Sequence, residues 1–179
     1  MGFLKSFWFP FCLLTLFALS FIMEVTIYTD GSSRGNPGPG GFGAILMSGG
    51  KQKELSAGYR KTTNNRMELM GVIAALSALK KEKLNITVYT DSQYIVKAVK
   101  EGWLKKWMAT NFAGGKKNRD LWEKFHDLYK QHQVTFVWVK GHADNIYNNR
   151  CDVLATTAAD GRNLLVDEAY ELNENTMRL

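Results

Sequence analysis

Residues 26–32 read TIYTDGS and residues 87–93 read TVYTDSQ. Each stretch is a run of β-branched and aromatic residues, the composition of a strand, and each breaks off at Tyr-Thr-Asp. Working outward from the first, Val25–Thr29 is a strand and SSRGNPGPGG (residues 32–41) is a loop by composition. Strands at 42–47 and 54–59 follow, with Ser48-Gly49-Gly50 as the tight turn between them. Connections this short predict a three-stranded antiparallel meander. Thr62-Thr63-Asn64-Asn65 then supplies capping residues, and Leu69, Val72, Leu76 and Leu79 recur at helical spacing, with Lys80-Lys81 in the last turn. Ile86–Thr90 is the fourth strand. Helices are predicted over 92–100 and 120–132, a fifth strand over 134–139, and a last helix from near Asn149 to Ala159. Helical crossovers return the chain to its starting side, so the fourth and fifth strands run parallel to the first. The expected fold is α/β: a five-stranded mixed sheet, antiparallel meander plus two parallel strands, with helices on both faces.

Composition agrees with one folded domain. The chain has 179 residues, 45% hydrophobic and 22% charged, which excludes global disorder and a multi-pass membrane protein. Its two cysteines, Cys12 and Cys151, cannot build a disulfide scaffold, and the absence of a CxxC pair argues against structural zinc. A net charge of +6 and a pI near 9.3 point to a polyanionic partner.

Residues 1–22 stand apart. FWFPFCLLTLFALSFIM, residues 7–23, carries no charge and is almost wholly apolar. The stretch reads either as sequence upstream of a true start at Met23, or as a signal or anchor. As an anchor it is short against the roughly 20 residues needed to span a bilayer, and Pro10 interrupts it. A membrane partner follows only if that extension is retained. The organisation is thus an extension at 1–22, a domain at 23–160 and a C-terminal tail at 161–179, whose acidic end from Asp167 onward reads as loose.

The predicted topology carries a chemical consequence. Asp30 ends the first strand and Asp91 the fourth; Glu68 lies in the first turn of the helix after the meander, and Asp152 in the first turn of the last helix. All fall at one sheet edge, outside the carboxyl ends of the parallel strands, where α/β sheets bind ligands. Singly, each acid has a structural explanation: a turn residue (Asp30), a capping box with Asn65 (Glu68), an N-cap (Asp91), a dipole-favoured first-turn acid (Asp152). Jointly those explanations fail, because four gathered carboxylates repel one another. Divalent cations resolve the conflict, and an all-oxygen donor set favours Mg²⁺ or Mn²⁺ over zinc. Two such ions about 3.5–4 Å apart would clamp the attacking and leaving oxygens of a phosphoryl displacement.

The motifs YTDGSSRGNPGPGGFGAIL, TTNNRMELMGVIAAL, VYTDSQYIVKAV and VKGHADNIYNNRCDVLA together resemble ribonuclease H type 1, the bacterial ribonuclease HI group, from about Met23 to Ala159. The resemblance implies that Asp30, Glu68, Asp91 and Asp152 bind two Mg²⁺ ions, with Mn²⁺ as a possible substitute. His142 matches the family's mobile histidine, which assists proton transfer or product departure. The implied reaction is endonucleolytic hydrolysis of the RNA strand of an RNA–DNA hybrid, leaving 5′-phosphate and 3′-hydroxyl ends. The implied setting is cytoplasmic, and the lack of a second domain suggests a monomer.

Choosing a hybrid requires sensing 2′-hydroxyls across a shallow minor groove, a task suited to short amides. Asn36, Asn64, Asn65 and Gln93 match family positions that touch that groove, and Lys61 and Thr63 are candidates for a phosphate of the DNA strand. The segment from Gly102 through Trp103, Lys105, Lys106 and Trp107 to Arg119 interleaves aromatics with positive charge and resembles the family's basic protrusion. Its tryptophans are expected partly buried and its lysines turned to phosphates. Two rivals stand beside this reading: an integrase-like or junction-resolving nuclease acting on DNA, and a non-catalytic hybrid-binding module.

Overall fold

Short turns join the first three strands, as their Gly-rich connections require. The computed structural model describes residues 24–141 and 143–176. β1 (Glu24–Ser33), β2 (Gly38–Ser48) and β3 (Lys51–Thr62) form the antiparallel meander, and β4 (Asn85–Thr90) and β5 (Gln133–Trp138) run parallel to β1. The sheet order is β3-β2-β1-β4-β5. Helices α1 (Asn64–Ser77), α2 (Gln93–Lys100), α3 (Trp103–Ala109) and α4 (Arg119–Tyr129) lie between β3 and β5 in sequence; α5 (Ile146–Ala159) and α6 (Glu168–Thr176) follow β5.

The meander is longer than its apolar runs. Gly40 and Gly41, expected in a loop, pair with Ser33 and Ser32 of β1, so the loop shrinks to residues 34–37. The reason is close approach. A Cβ at Gly43 would sit 2.2 Å from the Cys151 carbonyl oxygen, so only glycine lets α5 lie directly on the sheet. On the opposite face, a Cβ at Gly31 would sit 2.1 Å from the Glu68 amide nitrogen, so α1 starts hard against the end of β1. These two contacts draw α1 and α5, from opposite faces, to the same strand end.

The core lies mainly between the sheet and the helices on the α1 side. Ile27, Ala44, Leu69, Val72, Leu76, Val88 and Ile95 are fully buried there with Trp122 and Phe125 of α4. Each large apolar side chain so buried contributes roughly 1.5–3 kcal/mol against chain entropy.

Helix ends depart from the expected pattern. α1 stops at Ser77, so Lys80-Lys81 lie beyond its last turn, and α4 ends at Tyr129 rather than His132. α5 begins at Ile146, three residues before the expected start, because the Asn145 side chain accepts from the Tyr147 and Asn148 amides. Up to residue 176 the acidic tail packs and turns helical where it was expected loose. Leu165 bridges to Tyr59, Asp167 is buried, and α6 follows. The extension at 1–22 lies outside the described residues. Among the described residues, no helix is long and apolar enough to cross a membrane.

Candidate active site

Parallel register sets two of the acids side by side. Thr29 and Thr90 are the last residues paired between β1 and β4, so Asp30 and Asp91 are the next residue on neighbouring strands. Gly31 brings Glu68 to Asp30 from one face, and Gly43 brings the α5 turn carrying Cys151 and Asp152 from the other. The loop after β5 also closes in: a Cβ at Gly141 would meet Asp91 Oδ2 at 2.4 Å.

The separate structural explanations for these acids each lose their footing. Asp30 lies within β1, opposite Gly43, and not in a turn. The helix-capping box does not form: the N-cap of α1 is Thr63, without a side-chain cap bond, and the Glu68 carboxylate accepts from Asn64 Nδ2 at 2.8 Å and from Ser92 Oγ. The N-cap of α2 is Ser92, which accepts from the Ile95 amide, and not Asp91. With α5 starting at Ile146, Asp152 stands in its second turn, where the helix dipole offers little.

Electrostatics records the crowding. Burial lifts the Asp30 carboxyl to about 8, with Asp91 adding to the rise and the Gly31 amide, 2.7 Å from Oδ1, opposing it; Asp152 and Glu68 push further upward. Glu68 is lifted to about 7 by burial and by Asp91, against the Ser92 and Asn64 hydrogen bonds. Cys151 is fully buried and its thiol is pushed far up, first by burial and then by Asp30, so it is not a nucleophile.

Among the described residues, no three of His, Cys, Asp and Glu gather tightly enough to hold a metal ion as they stand. The donor chemistry nonetheless fits hard dications. Every donor is a carboxylate oxygen, and two of the carboxyls are driven toward protonation by burial and by neighbouring acids, a bias that a bound cation would offset. His142 lies outside the described residues.

Beside this edge runs a groove of about 980 Å³. Its lining comes from two parts of the chain: Asn36, Thr63 and Asn65 from the loop after β1 and the start of α1, and Trp107, Lys116, Lys117 and Asn118 from α3 and the stretch before α4. Asn36 Oδ1 accepts from the Asn64 amide at 3.2 Å, which ties the loop after β1 to the start of α1. Asn65 and Gln93 are exposed, Lys61 and Thr63 half-buried. Trp103 is 37% exposed and Trp107 half-buried, their ring centroids 6.2 Å apart; Lys105 and Lys106 face solvent. Trp107 packs edge-on against Trp122, 5.5 Å away, so the basic segment is rooted in the core. Trp103, Lys106 and Trp107 flank a second, smaller groove of about 450 Å³.

Two features escaped sequence reasoning. Ser92 was visible only as a possible start of α2, yet it also holds Glu68, a contact across 24 positions that no local pattern announces. Arg66, next to Asn65, is 3% exposed and its guanidinium lies between Asp120 and Asp167. Burial opposes its charge, but hydrogen bonds to both acids prevail and raise its pKa.

A profile of the RNase H family matches residues 23–160. The chain is 53% identical over 150 residues to Ribonuclease H of Desulforamulus reducens, covering 82% of this chain and 94% of that one. It is 54% identical over 152 residues to Ribonuclease HI of Synechocystis, covering 82% and 94%. Among solved structures it is similar to LC9-RNase H1, a type 1 RNase H with the type 2 active-site motif, at 33% identity and a TM-score of 0.71, covering 83% and 79%. It is also similar to LC11-RNase H1 solved with an RNA/DNA hybrid, at 27% identity and a TM-score of 0.58, covering 76% and 96%.

Proposed function

The chain belongs to the RNase H family, in its bacterial type 1 branch, and is an endoribonuclease of RNA–DNA hybrids; on that premise we propose how its own residues carry the reaction. The family depends on divalent metal ions. Asp30, Glu68, Asp91 and Asp152 would hold two of them, Mg²⁺ by preference and Mn²⁺ as a substitute. When bound, such ions would supply Lewis acidity for hydrolysis of the phosphodiester. Asn64 and Ser92 hold the Glu68 carboxylate in one orientation, so little rotamer freedom is left to lose when a cation is taken up. The products carry 5′-phosphate and 3′-hydroxyl ends. His142 assists proton transfer or product departure.

Substrate choice falls to the groove. Asn36, Asn64, Asn65 and Gln93 read 2′-hydroxyls, and Lys61 and Thr63 hold a phosphate of the DNA strand. Trp103, Lys105 and Lys106 contact backbone beyond them. The enzyme works as a monomer in the cytoplasm, and its catalytic domain is residues 23–160. The observation that carries this reading is convergence at one strand end: Asp30 and Asp91 follow the paired Thr29 and Thr90, Gly31 lets Glu68 approach Asp30 from one face, and Gly43 lets the α5 turn with Asp152 approach from the other.

A cleavage assay tests it, comparing hybrid, duplex DNA and duplex RNA with Mg²⁺ and with chelator. The expected result is cutting of the RNA strand of the hybrid only, lost on chelation. Cutting of duplex DNA alone, or undiminished cutting in chelator, overturns it.

A further inference from the structure

One guanidinium joins three parts of the molecule behind the groove. Arg66 Nε and Nη2 each reach Asp167 at 2.7 Å, and Nη1 and Nη2 reach Asp120 at 2.9 and 2.6 Å. Asp120 lies in the first turn of α4, three residues after Lys117; Asp167 precedes α6 and also accepts from Thr62 Oγ1, at the end of β3, at 2.7 Å. The Tyr170 ring lies 5.8 Å from the same guanidinium and lines the groove itself. This segment is pinned along its length. The Leu165 amide donates to the Gly58 carbonyl at 2.8 Å, its carbonyl accepts from the Arg60 amide at 2.9 Å, and Glu171 takes the Arg60 fork at 2.7–3.1 Å.

The amide wall of the groove (Thr63, Asn65) and its lysine wall (Lys116, Lys117) therefore meet through Arg66, whose planar fork is filled only when both carboxylates are present. A duplex presents phosphates at fixed spacing. Two walls that must engage it together bind well only if their separation is set beforehand. We infer that residues 165–171 are a positioning element of the substrate groove: Asp167 and Tyr170 fix Arg66, and through it the distance between the two walls. The inference rests on the reading of this groove as the hybrid's seat.

The test is steady-state cleavage of an RNA–DNA hybrid by the full chain and by Asp167→Asn, Tyr170→Ala and, as a surface control, Asp127→Asn, whose exposed carboxylate pairs with Lys130. Each is assayed below its unfolding temperature by circular dichroism. Wild-type cleavage comes first: no cutting of the hybrid sinks the functional reading and this inference with it. Given cutting, KM is expected to rise about five- to tenfold in Asp167→Asn and Tyr170→Ala with kcat within about twofold of wild type, and Asp127→Asn to match wild type. Tyr170→Ala leaves the buried ion pairs in place, so it decides the matter if Asp167→Asn does not fold. A lowered melting temperature with unchanged KM, or a fall in kcat at constant KM, overturns the inference.

Discussion

Two regions of this molecule gather carboxylates, and they settle the charge in different ways. Around Arg66, Asp120 and Asp167 approach a single guanidinium to within 2.6–2.9 Å; the charges are met within the chain. At the sheet edge, Asp30 and Glu68 are driven up to about 8 and about 7 by burial and by Asp91. Both regions lie at the start of α1, with Arg66 and Glu68 only two residues apart. The difference teaches how to tell a structural acid from a reactive one. A carboxylate met by a guanidinium serves the fold, whereas carboxylates buried and crowded together favour a cation from outside.

The contrast can be broken by removing single charges. The largest effect is expected at Asp30→Asn, since a neutral amide is a poor ligand for a hard cation. Turnover of the hybrid should fall by on the order of 10³-fold or more, with hybrid binding in a gel-shift assay largely kept. Near-normal turnover would erase the distinction. Asp167→Ala acts on the other region and should cost about 3–5 kcal/mol of stability in denaturant unfolding, because it strands part of a buried guanidinium. A cost below 1 kcal/mol would show that the Arg66 network is not holding the fold. Ser92→Ala should lower kcat by about tenfold or less while circular dichroism stays native, since it frees Glu68 without removing it. Smallest is Glu54→Gln, which breaks an exposed pair with Arg150 and should leave the denaturant-unfolding midpoint unchanged.

What the sequence could disclose follows the same division. The strand interiors and the strand directions were readable because β-branched runs and short turns leave few alternatives. The sheet-edge position of Asp30, Glu68, Asp91 and Asp152 followed from topology alone. Gly38–Gly41 was misread as loop, since a glycine chosen for close packing looks the same as one chosen for a turn. The start of α5 was missed because its cap, Asn145, sits among other polar residues. Ser92 holding Glu68, and Asp167 reaching Arg66 across 101 positions, had no local signature; only folding brings such partners together. The tail looked loose because its acids showed no partner in sequence, and Arg60 and Arg66 supply one in space.

The most direct measurement is thermal unfolding of wild type and Asp30→Asn in chelator and in Mg²⁺ at pH 5.5 and 8.5. Asp30 and Glu68 have folded pKa values raised above their ordinary carboxylate range. Their contribution is therefore fully present at low pH and is lost as pH rises through about 7 and about 8, where the folded protein must release protons the unfolded chain gave up earlier. In chelator the wild-type Tm should fall from pH 5.5 to 8.5. Mg²⁺ should raise it by several degrees at pH 8.5 and little at pH 5.5, and Asp30→Asn should lose most of that gain. Equal stabilisation by Mg²⁺ at both pH values, or the same gain in Asp30→Asn, would contradict the claim that the crowded carboxylates at this edge are built to take up cations.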